Sequence, residues 1–231
     1  DSHSITDQTQ GNWNGIVGKI ELQSTPEVFF EDIQVYPDLA GKKALVRMNV
    51  RASSSAKGEI ALSARSFNTN VNHEIAPVYQ TVTVRKGDNP LEMELPMGQN
   101  FLTWDEFSPA LYRLTATLKN GKQIETKQVQ FGMREFTING KWFYVNGRKT
   151  MLRGTVENCD FPLTGYAPMD VASWERVFRI CRSYGLNHMR FHSFCPPEAA
   201  FIAADLVGFY LQPEGPSWPN HGPKLGNGQP I

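Results

Sequence analysis

Hydrophobic residues alternate with polar residues along most of the segment 26–132, the pattern of a β-strand with one buried face. The clearest runs are 46–50, 60–64, 78–84, 91–95 and 112–118. Turn-forming residues separate these runs, and Asn120-Gly121 is a strong signal for a two-residue hairpin. About seven short strands in one such segment predict an immunoglobulin-like β-sandwich.

The flanking segments are shorter. Asn139-Gly140 and Asn146-Gly147 bracket the apolar stretch 142–145 and predict a hairpin that leads into a following domain. Residues 1–25 contain a strand-like stretch at 19–22 but are too short to fold alone. We interpret them as the last strands of a preceding domain or as a docking arm, and we expect the chain to be part of a longer protein.

The period of the pattern changes at about residue 149. A short strand at 150–155 precedes a helix that Asp170 can cap, whose apolar residues recur at helical spacing until Gly185. A strand at 187–191, a helix at 198–207 and a strand at 209–212 follow. This β-α-β-α-β order predicts parallel strands joined by right-handed crossovers.

Composition excludes several classes of function. Lys+Arg and Asp+Glu both number 23, so the formal net charge is zero, which argues against nucleic acid or an anionic membrane as the partner. No apolar run is long enough to span a membrane. The three cysteines form no Cys-x-x-Cys pair, so we expect free thiols and neither a metal site nor a cofactor.

Polar residues gather where the predicted parallel strands end. His188, Arg190 and His192 share one face of their strand, while Met189 and Phe191 share the other. Arg153 and Glu157 accompany the first strand and Glu214 the third. Active sites of α/β folds lie at the carboxyl ends of strands, so these residues predict one functional rim. His188 and His192 would lie roughly 13 Å apart along the strand, too far to share a metal ion.

Four stretches resemble glycoside hydrolase family 2, the β-galactosidase and β-glucuronidase group. Residues 13–22 resemble the end of its sugar-binding jelly roll, and residues 131–147 resemble its junction into the catalytic barrel. Leu152-Arg153-Gly154 resembles the first barrel strand, and Asn187-His188-Met189-Arg190 followed by Pro196 resembles its Asn-x-x-Arg strand signature. The residues after Arg190 and Gly154 depart from the family pattern, which leaves the sugar preference open.

The resemblance implies three domains: the end of a jelly roll or a docking arm at 1–25, an immunoglobulin-like sandwich at 26–132, and the first βα units of an incomplete (β/α)8 TIM barrel at 133–231. It also implies a retaining β-glycosidase acting on oligosaccharides or polysaccharides. The family's acid/base glutamate follows an asparagine, and this sequence contains no Asn-Glu. We therefore expect no catalytic residue in this chain and no activity of the chain alone.

The resemblance further implies that several residues line the substrate site of the intact enzyme: Arg153, Glu157, Asn158, Arg190, His192, Glu214 and Trp218. It implies no cofactor and no metal. The expected partner is a carbohydrate, with no nucleic acid or membrane, and chains could pair through the open barrel edge as a homo-oligomer. We expect an extracytoplasmic location, periplasmic or secreted.

Two alternatives remain open. The chain could be a non-catalytic carbohydrate-binding or adhesion protein, which would need exposed aromatic residues on the sandwich. It could also be a different α/β hydrolase that uses His192 with Glu214 or Cys195, because a thiolate is favoured near a helix start. Alkylation of Cys195 would distinguish this second alternative.

Overall fold

A computed structural model describes residues 20–158, 160–192 and 194–215. The chain divides into two compact units, Leu22–Thr150 and the residues from Met151 onward, here called the β-sheet unit and the α/β unit. The predicted domain boundary at 133 therefore lies inside the first unit. Predicted strand 19–22 is not found in its described part, because Ile20 and Leu22 belong to no strand and are exposed to solvent.

Seven long strands build most of the β-sheet unit: β1 (Val28–Asp38), β2 (Lys43–Ala52), β3 (Ala56–Phe67), β4 (Glu74–Val84), β5 (Gly87–Pro96), β6 (Leu111–Asn120) and β7 (Gln123–Phe131). They form two antiparallel sheets, with orders β1-β2-β5 and β4-β3-β6-β7. Alternate residues of both sheets share one core, which includes Val46, Leu62, Leu95 and Leu114. This arrangement is compatible with a β-sandwich, and each of the predicted alternating runs lies in one of its strands.

A second, smaller sheet completes this unit. It contains β8 (Phe136–Asn139), β9 (Trp142–Val145) and β10 (Arg148–Thr150) in the order β10-β9-β8. Asn146 and Gly147 both have positive φ, 52° and 74°, as a type I′ hairpin turn requires. The two other predicted turns are displaced by one residue. Asn120 pairs with Gln123 and Asn139 with Trp142, so these two-residue loops begin at Gly121 and Gly140.

The α/β unit follows the predicted order of elements: β11 (Gly154–Glu157), α1 (Val171–Ser183), β12 (His188–Phe191), α2 (Glu198–Val207) and β13 (Tyr210–Gln212). The three strands are parallel, with β12 in the centre. Asp170 caps α1, because its Oδ1 accepts a hydrogen bond of 2.8 Å from the Ser173 amide. Gly185, with φ of 79°, follows the C-terminal end of this helix.

Both helices pack on one side of this parallel sheet. Trp174 and Phe178 of α1 share a core with the alanines of α2 and with Met189 and Phe191 of β12. The rings of Trp174 and Phe191 meet edge to face with centroids 5.7 Å apart. The opposite face of the sheet therefore carries the intervening residues of each strand. No helix among the described residues is long and apolar enough to span a membrane.

The first parallel strand begins later than predicted. The sequence pattern predicts a strand at 150–155, whereas Thr150 ends β10 by pairing with Phe143 and β11 begins at Gly154. Thr150 thus pairs within an antiparallel hairpin and not within the parallel sheet where the sequence pattern placed it. This shift of four residues moves Arg153 from the end of the strand to the position before its start.

Candidate functional site

Strand register defines the sheet face that the helices leave uncovered. Val156, Arg190 and Gln212 are neighbours across β11, β12 and β13. Paired residues of a parallel sheet point to the same side, and Arg190 alternates with the buried Met189 and Phe191. Arg190 is half-buried, and Gln212 is exposed. A row of one apolar and two polar residues therefore crosses this face close to the carboxyl ends of the strands.

Arg190 and Glu214 form the central contact of the candidate site. The Arg190 Nε donates to the Glu214 Oε1 at 2.6 Å, and the two side chains are 38% and 27% exposed. Pairs with this much solvent contact contribute about 0–1 kcal/mol to stability. The ion pair therefore matters chiefly because it fixes where a planar cation and a carboxylate lie. This geometry agrees with the predicted placement of both residues at the carboxyl ends of their strands.

His192 and Glu157 join the same end of the sheet through the backbone. The His192 amide donates to the Glu157 carbonyl at 2.8 Å, which holds the segment after β12 against the end of β11. The Glu157 Oε1 accepts from the Asp160 amide at 3.3 Å. Glu157 is in register with Phe191, so its side chain leaves the sheet on the helix-covered side. Asn158 follows directly and is exposed.

Arg153 does not belong to this group, and the prediction that it shares one rim with Arg190 and Glu214 is wrong. It precedes β11, and its carbonyl accepts from the Asn187 amide, at the amino ends of the strands. Its Nε donates to the Gly185 carbonyl at 2.8 Å, in the turn before β12. The physical reason is the late start of β11, which places Arg153 at the opposite end of the sheet.

Asn187 has a structural role that its place in the Asn-x-x-Arg motif did not predict. Its side chain is 1% exposed. Its Oδ1 accepts from the Arg153 amide at 2.7 Å, and its Nδ2 donates to the Met151 carbonyl at 3.0 Å. Both bonds tie the segment before β11 to the start of β12. An asparagine directly before an apolar strand is the only sequence signal that could have suggested this role.

His188 lies on the same face as Arg190 but deeper. A Cβ atom on Gly154, its neighbour in β11, would lie 2.3 Å from the His188 Nδ1. The ring thus occupies the space that any larger residue at 154 would need. Burial lowers the pKa of His188, because the charged imidazolium loses hydration there. These observations indicate a structural role for His188.

The remaining predicted residues are less informative. Trp218 and Cys159 lie outside the described residues. Cys195 is exposed, and its Sγ is 3.7 Å from the Pro196 carbonyl. Helix α2 begins three residues later, at Glu198, so Cys195 is not in its first turn. Within the described ranges, no group of three or more His, Cys, Asp or Glu side chains is placed to hold a metal ion.

Comparison with known proteins gives a consistent result. Residues 28–134 match the family model of glycosyl hydrolases family 2. A putative beta-glucuronidase from Formosa agariphila is 26% identical over 248 residues, covering 96% of this chain and 30% of the relative. A beta-galactosidase from Oenococcus oeni is 22% identical over 216 residues, covering 90% of this chain and 21% of the relative.

A solved structure supports the same fold. A family 2 glycosyl hydrolase from Bacteroides cellulosilyticus aligns with a TM-score of 0.70 at 22% identity, over 83% of this chain and 25% of that one. The comparisons together support a likeness of this chain to glycosyl hydrolases family 2, and residues 28–134 match the model of that family. The chain spans less than a third of the length of each of these relatives.

Proposed function

We propose that this chain forms part of a retaining β-glycosidase that hydrolyses O-glycosidic bonds in oligosaccharides or polysaccharides. In this proposal β1–β7 are the family's immunoglobulin-like sandwich. The three parallel strands β11–β13 and their two helices are the opening βα units of its (β/α)8 barrel.

The ion pair between Arg190 and Glu214 is the observation that supports the proposal most directly. It lies at the carboxyl ends of β12 and β13, on the side of the chain where barrel enzymes place their substrates. His192 and Asn158 are held at the same end of the sheet. Guanidinium, imidazole and carboxamide groups donate and accept the hydrogen bonds that sugar hydroxyl groups make.

Retaining hydrolysis needs two carboxyl groups about 5 Å apart, one as acid/base and one as nucleophile. Glu214 is engaged by Arg190, and the sequence contains no Asn-Glu to supply the family's acid/base. We therefore place the catalytic glutamates in later barrel strands of the complete enzyme. Arg190, His192, Asn158 and Glu214 would shape the sugar subsite, while Arg153 would support the opposite end of the sheet.

The partner in this proposal is a carbohydrate, and the location is extracytoplasmic. In the described part of the chain β11 and β13 each pair with β12 alone. Each of these edge strands would gain a neighbour in a complete barrel. Pairing of these edges between chains is the alternative that leads to a homo-oligomer.

The carbohydrate-binding alternative is less well supported. Exposed aromatic side chains do occur on the two large sheets, at Tyr36 and Tyr79. Tyr36 lies on β1 and Tyr79 on β4, which belong to different sheets. The Arg47 guanidinium also covers the Tyr36 ring at 4.8 Å from its centroid. The two rings therefore do not form one stacking platform.

The test uses the polypeptide of the complete reading frame and a panel of aryl β-glycosides. We expect hydrolysis, with NMR showing the β-anomer as the first product, and no turnover by the 231-residue chain alone. Arg190→Lys should lower kcat/KM roughly 100-fold, because the ammonium lacks the planar donor group that fixes the position of the carboxylate. Arg179→Gln, an exposed helix position, is the control. An α-anomeric first product, or turnover by the isolated chain, would contradict the proposal.

A further inference from the structure

A shallow groove of about 420 Å³ lies on the outer face of the sheet β4-β3-β6-β7. Its lining is Arg65, Ser66, Phe67, Arg113, Thr115 and Gln128. Its size falls within the range of small-ligand sites. The groove belongs to the β-sheet unit and uses none of the residues assigned to the barrel site. A role for it is therefore independent of the function proposed above.

Two arginines face each other across this groove. Arg65 of β3 is in register with Arg113 of β6, and like charges directly opposite on neighbouring strands destabilise a sheet. Further along the same two strands, Glu59 stands opposite Lys119, so unlike charges are paired there. The arrangement of the arginine pair thus costs free energy that the rest of this face avoids.

The charge of the arginine pair is only half compensated within the described residues. Arg65 reaches Glu74 at 3.3 Å, with both side chains more than half exposed. Arg113 has no carboxylate partner there, and its guanidinium lies over the Phe67 ring at 4.7 Å from the centroid. Stacking on the ring holds the guanidinium plane while leaving its N–H donors available.

Polar groups beside the arginines would extend recognition beyond charge. Thr115 and Gln128 are neighbours in register on β6 and β7, and the Gln128 Nε2 donates to the Thr115 Oγ1 at 3.3 Å. This contact leaves the Thr115 hydroxyl proton and the Gln128 carbonyl oxygen for a ligand. The groove therefore offers a fork of charged donors next to groups that hydrogen bond to hydroxyls.

We propose that the Arg113 groove binds a carboxylate-bearing saccharide, with the carboxylate on Arg113 and Arg65 and the ring hydroxyls on Thr115 and Gln128. Charged, bidentate hydrogen bonds are stronger than neutral ones and select planar carboxylates. The site would attach the protein to an acidic glycan through the β-sheet unit.

The experiment is an NMR titration of the 15N-labelled 231-residue chain with sodium glucuronate, glucose and sodium sulfate as probes. We expect glucuronate to shift amide signals of β3, β6 and β7 around the groove, and added NaCl to weaken this binding. Glucose and sulfate, each supplying half of the recognised chemistry, should bind at least about tenfold more weakly.

Substitutions localise the effect. Arg113→Gln should raise the dissociation constant for glucuronate at least about tenfold. Arg47→Gln is the matched control, because Arg47 also stacks over an aromatic ring but is paired with Glu92 at 2.7 Å. The assignment is overturned if glucuronate causes no shifts at the groove or if Arg113→Gln binds it as the wild type does. Binding of glucose or sulfate as tight as that of glucuronate would overturn it as well.

Discussion

The side-chain amide of Asn187 allows a sharp test of what holds the parallel sheet together. It is buried and accepts from the Arg153 amide while donating to the Met151 carbonyl. The substitution Asn187→Asp keeps size and shape and changes one donor into a charged acceptor. At neutral pH the new oxygen would face the Met151 carbonyl across a 3.0 Å contact that formerly held a hydrogen bond.

The loss of stability caused by Asn187→Asp can be worked out for two cases, an ionised and a protonated carboxyl. Loss of this hydrogen bond and repulsion between the introduced carboxylate and the Met151 carbonyl, which still accepts from the Arg153 Nη1 at 3.3 Å, together cost about 2–4 kcal/mol. If the introduced carboxyl instead stays protonated in the folded chain, each unit by which its pKa is raised costs about 1.4 kcal/mol near neutral pH. The first case predicts a loss of about 2–4 kcal/mol in the stability of the α/β unit. The second predicts about 4 kcal/mol, because a carboxyl that is protonated near pH 7 has a pKa raised by about three units above its unfolded value of about 3.9.

The pH dependence of this loss has a definite sign. Burial raises the pKa of the introduced carboxyl in the folded state above its unfolded value. At pH values between these two pKa values, the folded state therefore binds more protons than the unfolded state. The deficit relative to the wild type is therefore complete above the folded pKa and shrinks as the pH falls through it. The protonated carboxyl can donate to Met151 and accept from Arg153, as the amide does.

The assay is urea unfolding followed by 19F NMR of 5-fluorotryptophan, since the five tryptophans give separable reporters. Trp174 is buried in the α/β unit and Trp104 in the β-sheet unit, which avoids treating the two units as one transition. Asn187→Asp should move only the Trp174 transition. An unchanged Trp174 midpoint, or a deficit that stays constant as the pH is lowered, would refute the reasoning.

Asn146→Asp provides the matched control. Asn146 also bridges two backbone groups, accepting from the Glu135 amide at 2.9 Å and donating to the Trp104 carbonyl at 3.0 Å, but in the other unit. The same chemical change there should affect the Trp104 reporter and leave Trp174 unchanged. If both variants move both reporters, the two amides do not act locally.

Three further predictions concern the α/β unit and use the same Trp174 reporter. Arg182→Ala should destabilise this unit by about 1.5–3 kcal/mol, because the guanidinium donates two 2.9 Å bonds to carbonyls at the C-terminal end of α2. The control Arg179→Ala, on the exposed side of α1, should change stability by less than about 0.5 kcal/mol. Equal effects of the two variants would contradict this prediction. Gly154→Ala should lower the stability of this unit by about 1–3 kcal/mol, because the added Cβ clashes with the His188 ring. The double variant with His188→Ala should recover most of that stability. No recovery would show that the His188 ring is not the obstacle. The pKa of His188 is lowered in the folded state, so the unfolded state binds the proton first and stability should fall as the pH drops below about 6.5. His188→Gln should reduce this fall. The same pH profile in the variant and the wild type would disprove the prediction.

Local signals predicted the elements of this chain well. The cap at Asp170 and the glycine at 185 bound α1 as expected, because both act on residues within one helical turn. The alternating runs of 26–132 all lie in strands, since each strand has one face in a shared core. The parallel order of β11–β13 also follows from the sequence, because each strand is separated from the next by one helix.

Contacts distant in sequence account for what the pattern could not predict. Thr150 fits a parallel strand by its neighbours, yet it pairs with Phe143 in a hairpin whose turn forms locally. Arg153 then bonds to Asn187, 34 residues away. The periodicity of hydrophobic and polar residues along the sequence carries no information about either of these partners. Placement at the carboxyl ends was therefore predicted correctly for Arg190 and Glu214, whose strands were bounded to within one residue, and wrongly for Arg153.

The two ends of the parallel sheet hold charge in different ways, and this difference supports the proposed site. At the amino ends the Arg153 side chain donates to the backbone carbonyls of Gly185 and Met151. At the carboxyl ends Arg190 is held by a carboxylate that keeps 27% of its surface in solvent. A ligand at that end would meet both a planar donor group and a carboxylate acceptor. Arg153, at the other end, joins the segment before β11 to the turn before β12. Variants at Arg190 should therefore change substrate turnover in the complete enzyme, and variants at Arg153 should change stability first.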